Sequence, residues 1–371
     1  MIQTVEKGKT LLIDGPASVH LISGKLSAFG ALVKKGDRII VRKGKRTPFE
    51  VLQNAQVELT LGDSASSEEI EGSTIPNSWQ DIVNKIISTK EHGEILVIGG
   101  TDSGKTSFCT YLANKALSEN YRTAFINGDL GQSDVGPPGT VSLGFIQEPI
   151  IDLFNLQLEE AIFIGVTSPS RTIDSTLNAI AMLKAKALNT NANFLVINTD
   201  GWIEGEAAVD YKVRLVKALA PKLVVAIQSS NELDPIIDLL RDMAISEIDS
   251  PKMIKKRDKE TRRNLRELSY KKFLKGAKVR LCPLNRLEIK GELEINKRLT
   301  TLQERDVKGL LVGLENSNGK FLGIGTICNI DFKKGLMQIY TPISEAISKI
   351  HIGQIKLDCE GNEMDFTMAR L

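Results

Sequence analysis

The pattern of hydrophobic and polar positions changes character near residue 79. Beyond it, short apolar runs typical of strands buried on both faces alternate with segments whose apolar residues recur at helical spacing. The predicted strands are EILVIG (94–99), TAFIN (123–127), AIFIGV (161–166), NFLVIN (193–198) and KLVVAI (222–227), with helices at 171–188 and 206–219. This alternation predicts an α/β domain with an open parallel sheet, in which ligands gather at the carboxyl ends of the strands.

Both ends of the chain show a different pattern, in which short strand-like runs are separated by glycine turns. Residues 1–75 contain KTLLIDG, SVHLISG, RIIVRKG and QVELTLG, and residues 279–371 return to this texture in GLLVGLENSNGKFLGIGTICNIDF. The polar stretch 64–78 contains a proline and predicts a linker. We therefore predict small all-β domains at 1–75 and 279–371 around a central domain at 76–278.

Composition narrows the functional class only a little. The chain has 371 residues, of which 42% are hydrophobic and 25% charged, as in soluble globular proteins. No apolar run is long enough for a membrane span and the N-terminus lacks a signal-peptide core, so we expect a cytoplasmic protein, or a nuclear one in a eukaryote. The four cysteines are scattered and the three histidines lie far from the motifs below in sequence. We therefore expect no structural zinc site, and a carboxylate as the general base.

The run VIGGTDSGKTS (97–107) fits the phosphate-binding pattern G-x-x-x-x-G-K-[ST], between a predicted strand and a predicted helix. Glycines let backbone amides converge on an anion, and the helix N-terminus adds a favourable dipole. Lys105 is expected to reach the β- and γ-phosphates of a nucleoside triphosphate, and the Thr106 hydroxyl to bind Mg²⁺. The nucleotide-binding residues are predicted to be Gly99, Gly100, Thr101, Asp102, Ser103, Gly104, Lys105, Thr106 and Ser107.

Two acidic residues follow predicted strands and compete for a role beside this loop. Asp129 begins DLGQS, with Gln132 as a hydrogen-bond donor, and can approach the metal or an attacking hydroxyl, or can cap a helix. Asp200 ends the strand NFLVINT, where a carboxylate can also serve Mg²⁺. The sequence alone does not divide the work between them. Trp202 follows two residues later, either as a stacking platform for a nucleobase or as a core aromatic residue.

Two further segments carry candidate anion contacts. GVTSPSRT (165–172) offers Thr167, Ser168, Ser170 and Arg171, which either clamp a phosphate or ribose or cap the following helix. Residues 252–280 hold thirteen Lys or Arg against three acids, in a chain whose net charge is only +2. Within this segment, residues 255–276 form either a solvated helix or a mobile lid that closes over the phosphates and supplies an arginine.

In this order, the motifs resemble those of the polynucleotide 5′-hydroxyl kinases. That family includes the kinase subunit of eukaryotic messenger-RNA cleavage and polyadenylation complexes, nucleolar ribosomal-RNA-processing kinases and archaeal relatives. The matching stretches are GGTDSGKTS, GDLGQS, GVTSPS, NTDGW and RRNLRE. The resemblance implies a central P-loop NTPase domain flanked by two β domains, and it covers nearly the whole chain.

The resemblance also implies a role for each matching residue. Lys105, Asp129, Arg262 and Arg266 would be catalytic, with Arg263 as another lid candidate, and Thr106 and Asp129 would serve Mg²⁺. The RNA-binding residues would be Gln132, Thr167, Ser168, Ser170 and Trp202. Since the family varies the Asp of NTDGW, Asp200 is the weaker of the two acids.

The activity implied is transfer of the γ-phosphate of ATP or GTP to the 5′-hydroxyl of RNA, with DNA left open as an acceptor. Partners would be the nucleoside triphosphate, the RNA and other RNA-processing proteins. Two alternatives stay open: a non-catalytic ATP-binding scaffold in an RNA-processing complex, and a small-nucleoside kinase.

Overall fold

The computed structural model describes residues 1–89, 93–291 and 307–365. In these ranges the contacts form two compact units. The first comprises Met1–Ile126, Gly144–Gln157 and Lys184–Arg262, and the second comprises Asn127–Leu143, Leu158–Leu183 and Arg263–Leu371. The boundaries of the three predicted domains stay predictions. No helix in the described ranges is both long and apolar enough to cross a bilayer.

The N-terminal sheet is entirely antiparallel. Its strands are β1 (Ile2–Val5), β2 (Lys9–Asp14), β3 (Ala17–Ala28), β4 (Ala31–Val33), β5 (Arg38–Val41), β6 (Arg46–Leu61) and β7 (Ser66–Glu71). They lie in the order β4-β3-β6-β2-β7, with β1 paired to β6 and β5 paired to β3. The core under this sheet includes the fully buried Leu11, Leu26, Phe49 and Val57.

The predicted linker at 64–78 is wrong over Ser66–Glu71, because these six residues form β7 and pair with β2. The sequence SSEEIE is polar, which favours a linker over a strand. A strand at the edge of an antiparallel sheet has solvent on one side and tolerates such residues. Helix α1 (Asn77–Ser88) follows and buries Trp79, Ile82, Val83 and Ile86 on one face.

The central strands and helices follow the predicted alternation closely. The strands are β8 (Gly93–Gly99), β9 (Thr123–Gly128), β10 (Thr140–Ile146), β11 (Glu160–Phe163), β12 (Phe194–Thr199), β13 (Leu223–Gln228) and β14 (Ile245–Asp249). The helices are α2 (Lys105–Ser118), α3 (Ile173–Asn189), α4 (Glu206–Leu219), α5 (Asp234–Ile237) and α6 (Lys259–Phe273). Strands β12, β8, β13 and β14 are neighbours in parallel pairs, with β9 next to β12.

One predicted strand differs from the structure. The run AIFIGV gives a strand that ends at Phe163 and pairs antiparallel with β10. Its partner was not predicted, because TVSLGFI mixes small and polar residues with apolar ones and follows a proline-rich turn. We call residues 167–170, which carry the candidate anion-binding hydroxyls, the clasp. The clasp follows an antiparallel strand after a three-residue connection that includes Gly165, whose φ is +82°.

The third sheet lies within the second unit and confirms the expected β character of the C-terminal region. Its strands are β15 (Lys278–Pro283), β16 (Glu288–Lys290), β17 (Leu310–Glu315), β18 (Phe321–Asp331), β19 (Leu336–Thr341) and β20 (Lys349–Lys356), in the order β15-β19-β18-β17-β20-β16. Its core includes Leu314, Ile327, Met337, Ile339 and Ile350. The predicted fold class, a central α/β P-loop domain with flanking β regions, is confirmed.

Candidate active site

The phosphate-binding loop joins β8 to α2 in the first unit, and two of its glycines are required by geometry. Gly104 has a φ of +99°, and a Cβ on it would lie 3.0 Å from Pro251 Cδ. A Cβ on Gly99 would lie 2.6 Å from Ser103 Oγ and 2.7 Å from the backbone oxygen of Ile227. Any larger residue would therefore open the loop.

The polar side chains of this loop are suited to a polyphosphate. Lys105 is only 6% exposed, and its Nζ donates to the Gly100 carbonyl at 2.5 Å. The Ser103 hydroxyl is buried and has no partner within the described ranges. Thr106 follows Lys105 in the first turn of α2. A cradle that excludes Cβ atoms, an orphaned hydroxyl and an inward lysine fit a nucleoside triphosphate.

The loop after β12 packs directly onto the phosphate-binding loop. A Cβ on Gly201 would lie 2.6 Å from Thr101 Oγ1 and 2.8 Å from Thr101 Cα, so only glycine allows this approach. The Thr101 hydroxyl donates to the Gly201 carbonyl at 3.4 Å. A Cβ on Gly100 would lie 3.2 Å from Ile203 Cδ1. The predicted neighbourhood of GGTDSGKTS and NTDGW is therefore present in the first unit.

Asp200 is held by hydrogen bonds inside the protein. Its Oδ1 accepts from the backbone amide of Trp202 at 2.9 Å. Its Oδ2 accepts from the Tyr211 hydroxyl and from Lys212 Nζ, both at 3.0 Å. The Lys212 side chain is fully buried, and its Nζ also donates to the Asp200 backbone oxygen. These contacts give the Asp200 carboxylate a structural role.

We expect the variant Lys212→Met to lower the free energy of unfolding by about 3–5 kcal/mol, because it leaves the buried Asp200 charge without its cation. Urea unfolding measures the loss. Lys217→Met is the matched control, since Lys217 is an exposed lysine on the same helix. An equally small change in both variants would contradict a stabilising role for the buried pair.

Trp202 is half-buried, and its ring stacks on Tyr211. The ring centroids are 5.9 Å apart and the planes are inclined by 24°. The ring thus packs on a protein aromatic, and the residue as a whole is only partly buried. The core and stacking interpretations of Trp202 therefore both retain support.

Asp129 lies in the second unit, in the turn after β9. Its Oδ1 accepts from the backbone amides of Gly131 at 3.0 Å and Gln132 at 2.9 Å. Gly131 is close to the clasp, because a Cβ on it would lie 2.7 Å from the Thr167 carbonyl. The structure therefore brings the Asp129 turn and the clasp together, and the carboxylate shapes the turn that carries Gln132.

The clasp hydroxyls have a local structural role as well. Ser168 is the N-cap of a 3₁₀ turn over Pro169–Arg171, and its Oγ lies 3.3 Å from Ser170 Oγ. Both serines are exposed, and Thr167 is half-buried. The capping alternative is thus realised at the short turn rather than at α3, and it leaves Ser168 and Ser170 facing solvent.

The three lid arginines have different partners. In the first unit, Arg262 Nη2 donates to Asp102 Oδ2 at 2.8 Å. In the second unit, Arg266 forms a bidentate pair with Glu363, with both distances 2.6 Å, and Arg263 contacts Glu267 and Asp365.

Burial acts to lower the pKa of the Arg266 guanidinium, but the Glu363 carboxylate outweighs it and the pKa is raised. Arg266 therefore stays charged and paired with Glu363. Of these three lid candidates, Arg262 is the one whose side chain contacts the phosphate-binding loop.

Two contacts of the site were not predicted, although the sequence carries a signal for each. Lys212 lies on the buried stripe of α4 with Ala208, Leu215 and Leu219, where a lysine requires a buried partner. Asp102 places a negative charge inside an anion-binding loop, which requires a neighbouring cation.

Comparison with known proteins gives concordant matches. A family model described as the mRNA cleavage and polyadenylation factor CLP1 P-loop matches residues 99–276. A polyribonucleotide 5′-hydroxyl-kinase of Pyrococcus abyssi is 25% identical over 348 residues, which cover 81% of this chain and 98% of the relative. A protein of the same name from Methanocaldococcus jannaschii is 25% identical over 356 residues, covering 81% and 97%.

Among solved structures, that of the wild-type Clp1p–Pcf11p complex contains a similar chain. The TM-score is 0.77 at 14% identity, and the match covers 96% of this chain and 97% of the other. This similarity extends the shared fold beyond the central domain. Residues 99–276 are therefore similar to the P-loop domain of the CLP1 family.

Proposed function

We propose that this chain is a polynucleotide 5′-hydroxyl kinase that transfers the γ-phosphate of ATP or GTP to the 5′-hydroxyl of RNA. The observation that carries the proposal is the close packing of Gly201, in the NTDGW loop, on Thr101 of the phosphate-binding loop. This packing joins a phosphate site to the segment that carries the half-buried Trp202. The names of the archaeal relatives support the assignment.

The reaction forms a bond between the 5′-oxygen and the γ-phosphorus, breaks the bond from that phosphorus to the β–γ bridging oxygen, and moves the hydroxyl proton to a base. The transition state is loose, so charge neutralisation and positioning supply most of the catalysis. Lys105 and Arg262 would neutralise charge on the phosphates. Asp129 would orient the hydroxyl and accept its proton, on the strength of the family resemblance.

Mg²⁺ is part of the proposal, with the Thr106 hydroxyl as its protein ligand and Asp129 as the candidate acid. When bound, the ion would neutralise charge on the β- and γ-phosphates. The described ranges contain no cluster of three or more His, Cys, Asp or Glu side chains suited to a metal. A phosphate-bound Mg²⁺ does not need one, because phosphate oxygens and waters supply most of its ligands.

The test is a transfer assay with labelled γ-phosphate and four acceptors. These are a 5′-hydroxyl RNA, the DNA of the same sequence, a free nucleoside, and the same RNA carrying a 5′-phosphate. We expect label on the 5′-hydroxyl RNA and none on the blocked RNA. Transfer to the nucleoside alone would show a small-nucleoside kinase, and ATP binding without transfer would show a scaffold. Because Clp1p was solved with Pcf11p, we also propose an RNA-processing protein as a partner.

Replacing Trp202 by alanine is expected to weaken RNA binding by about 1–3 kcal/mol, because a base loses its stacking surface. ATP affinity should change little. Fluorescence-anisotropy titration with a labelled oligonucleotide measures the effect, and Trp202→Phe, which keeps an aromatic ring, should recover part of it. Unchanged RNA affinity with a lower melting temperature would instead assign Trp202 to the core with Tyr211.

A further inference from the structure

Asp102 places an acidic side chain inside the phosphate-binding loop. Asp102 has a φ of +55°, a left-handed conformation that few side chains adopt. Its carboxylate is 10% exposed and lies in a loop whose backbone and lysine attract anions. An unbalanced charge there would repel the nucleotide.

Contacts with the beginning of the basic segment at 252–280 balance the negative charge of the Asp102 carboxylate. Asp102 Oδ2 accepts from the backbone amide of Arg257 at 2.9 Å and from Arg262 Nη2 at 2.8 Å. One oxygen therefore fixes both a main-chain position and a lid guanidinium. We call residues 253–262, all in the first unit, the lid root.

The lid root is also held by the N-terminal sheet. Arg46 pairs with Asp14 through two bonds of 2.9 Å and donates to the Met253 carbonyl at 3.1 Å. Lys255 Nζ lies 3.4 Å from Asp14 Oδ2. Burial acts to raise the pKa of the Asp14 carboxyl, but Arg46 and Lys255 outweigh it and the pKa is lowered. Contacts at Met253, Lys255 and Arg257 therefore fix the position of the lid root before α6 begins.

We propose that Asp102 is a positioning residue that anchors the lid root to the phosphate-binding loop and aims Arg262 at the transferring phosphoryl group. The inference rests on the proposed kinase function. Asp102 does not touch the reacting atoms and acts through Arg262. Asp102 contacts the main chain of Arg257 as well as the side chain of Arg262. The segment is also held at Met253 and Lys255. This arrangement is typical of a permanent anchor. A contact that breaks when nucleotide binds would involve the Arg262 side chain alone.

The kinetic test uses two variants compatible with the left-handed backbone. Asp102→Asn keeps an acceptor oxygen without the charge, and Asp102→Gly removes the side chain. We expect Asp102→Gly to lower kcat about 10-fold or more, with a smaller change in the KM for ATP, and Asp102→Asn to lie between it and the native chain. In an Arg262→Ala background, Asp102→Gly should cause no further loss. Asp238→Asn, which breaks the exposed pair with Arg241, is the control and should leave kcat unchanged.

A second measurement does not depend on activity. Hydrogen exchange of the Arg257 amide, followed by mass spectrometry of the lid root, should be about 10-fold faster in Asp102→Gly. Unchanged exchange, an undiminished kcat loss in the Arg262→Ala background, or a higher kcat in Asp102→Gly would each overturn the anchor. If the native chain transfers no phosphate while the exchange still rises, the proposed function fails and the anchoring contact stands.

Discussion

Replacing Lys105 by alanine is expected to reduce phosphoryl transfer about 10²–10³-fold, the usual cost of removing one group that stabilises transition-state charge. The Lys105 side chain is buried within the loop and donates to the Gly100 carbonyl. That bond is local, so its loss should leave the fold intact. Single-turnover transfer from labelled ATP to a 5′-hydroxyl RNA measures the effect directly.

The matched control for this variant is Lys115→Ala, in the last turn of the same helix. It removes an equal charge far along α2 from the phosphate-binding loop and should leave transfer near the native rate. Near-native transfer by a well-folded Lys105→Ala protein would contradict the role of the loop in catalysis. A melting temperature lowered only in Lys105→Ala would instead show that the lysine stabilises the loop.

The fold of the central region was predictable because its signals are local. Strand β8, the glycine loop and helix α2 follow one another in sequence, and each has a strong pattern of its own. Helices α3 and α4 differ from their predicted bounds by at most two residues. The motif GGTDSGKTS also implied its own geometry, since the left-handed φ of Gly104 requires glycine.

The features that escaped prediction depend on contacts between distant parts of the sequence. The antiparallel pairing of β10 with β11, and of β7 with β2, is set by partners that no local pattern identifies. The Asp102–Arg262 pair joins residues 160 positions apart. The sequence signal for this pair was the negative charge of Asp102 inside an anion-binding loop. The sequence does not say which of the thirteen Lys and Arg residues between 252 and 280 is its partner.

The hydrogen bonds of Asp129 and Asp200 separate the two acids whose roles their positions after predicted strands leave open. Asp200 receives one backbone donor, a tyrosine hydroxyl and a buried lysine. Asparagine there would leave Lys212 without its counter-charge, so Asp200→Asn should mainly destabilise the fold. At Asp129, by contrast, Oδ1 accepts from two backbone amides.

Asp129→Asn is therefore expected to lower transfer by about 10²-fold or more, the usual contribution of a general base, with little loss of stability. Asparagine keeps the carbonyl oxygen that accepts from Gly131 and Gln132, so the turn should persist. It removes the charge and the site that takes the proton. Rates of transfer to 5′-hydroxyl RNA should fall while ATP and RNA affinities stay near native.

Two controls make this result specific to Asp129. Asp174→Asn changes an exposed acid in the first turn of α3 and should leave the rate unchanged. A magnesium titration separates the two candidate tasks of Asp129, because added metal restores activity only where the carboxylate served the metal shell. A mild effect at Asp129 with a severe, metal-independent loss of rate in a stable Asp200→Asn protein would contradict the assignment. In that case Asp200 would be the proton acceptor despite its bonds to Tyr211 and Lys212.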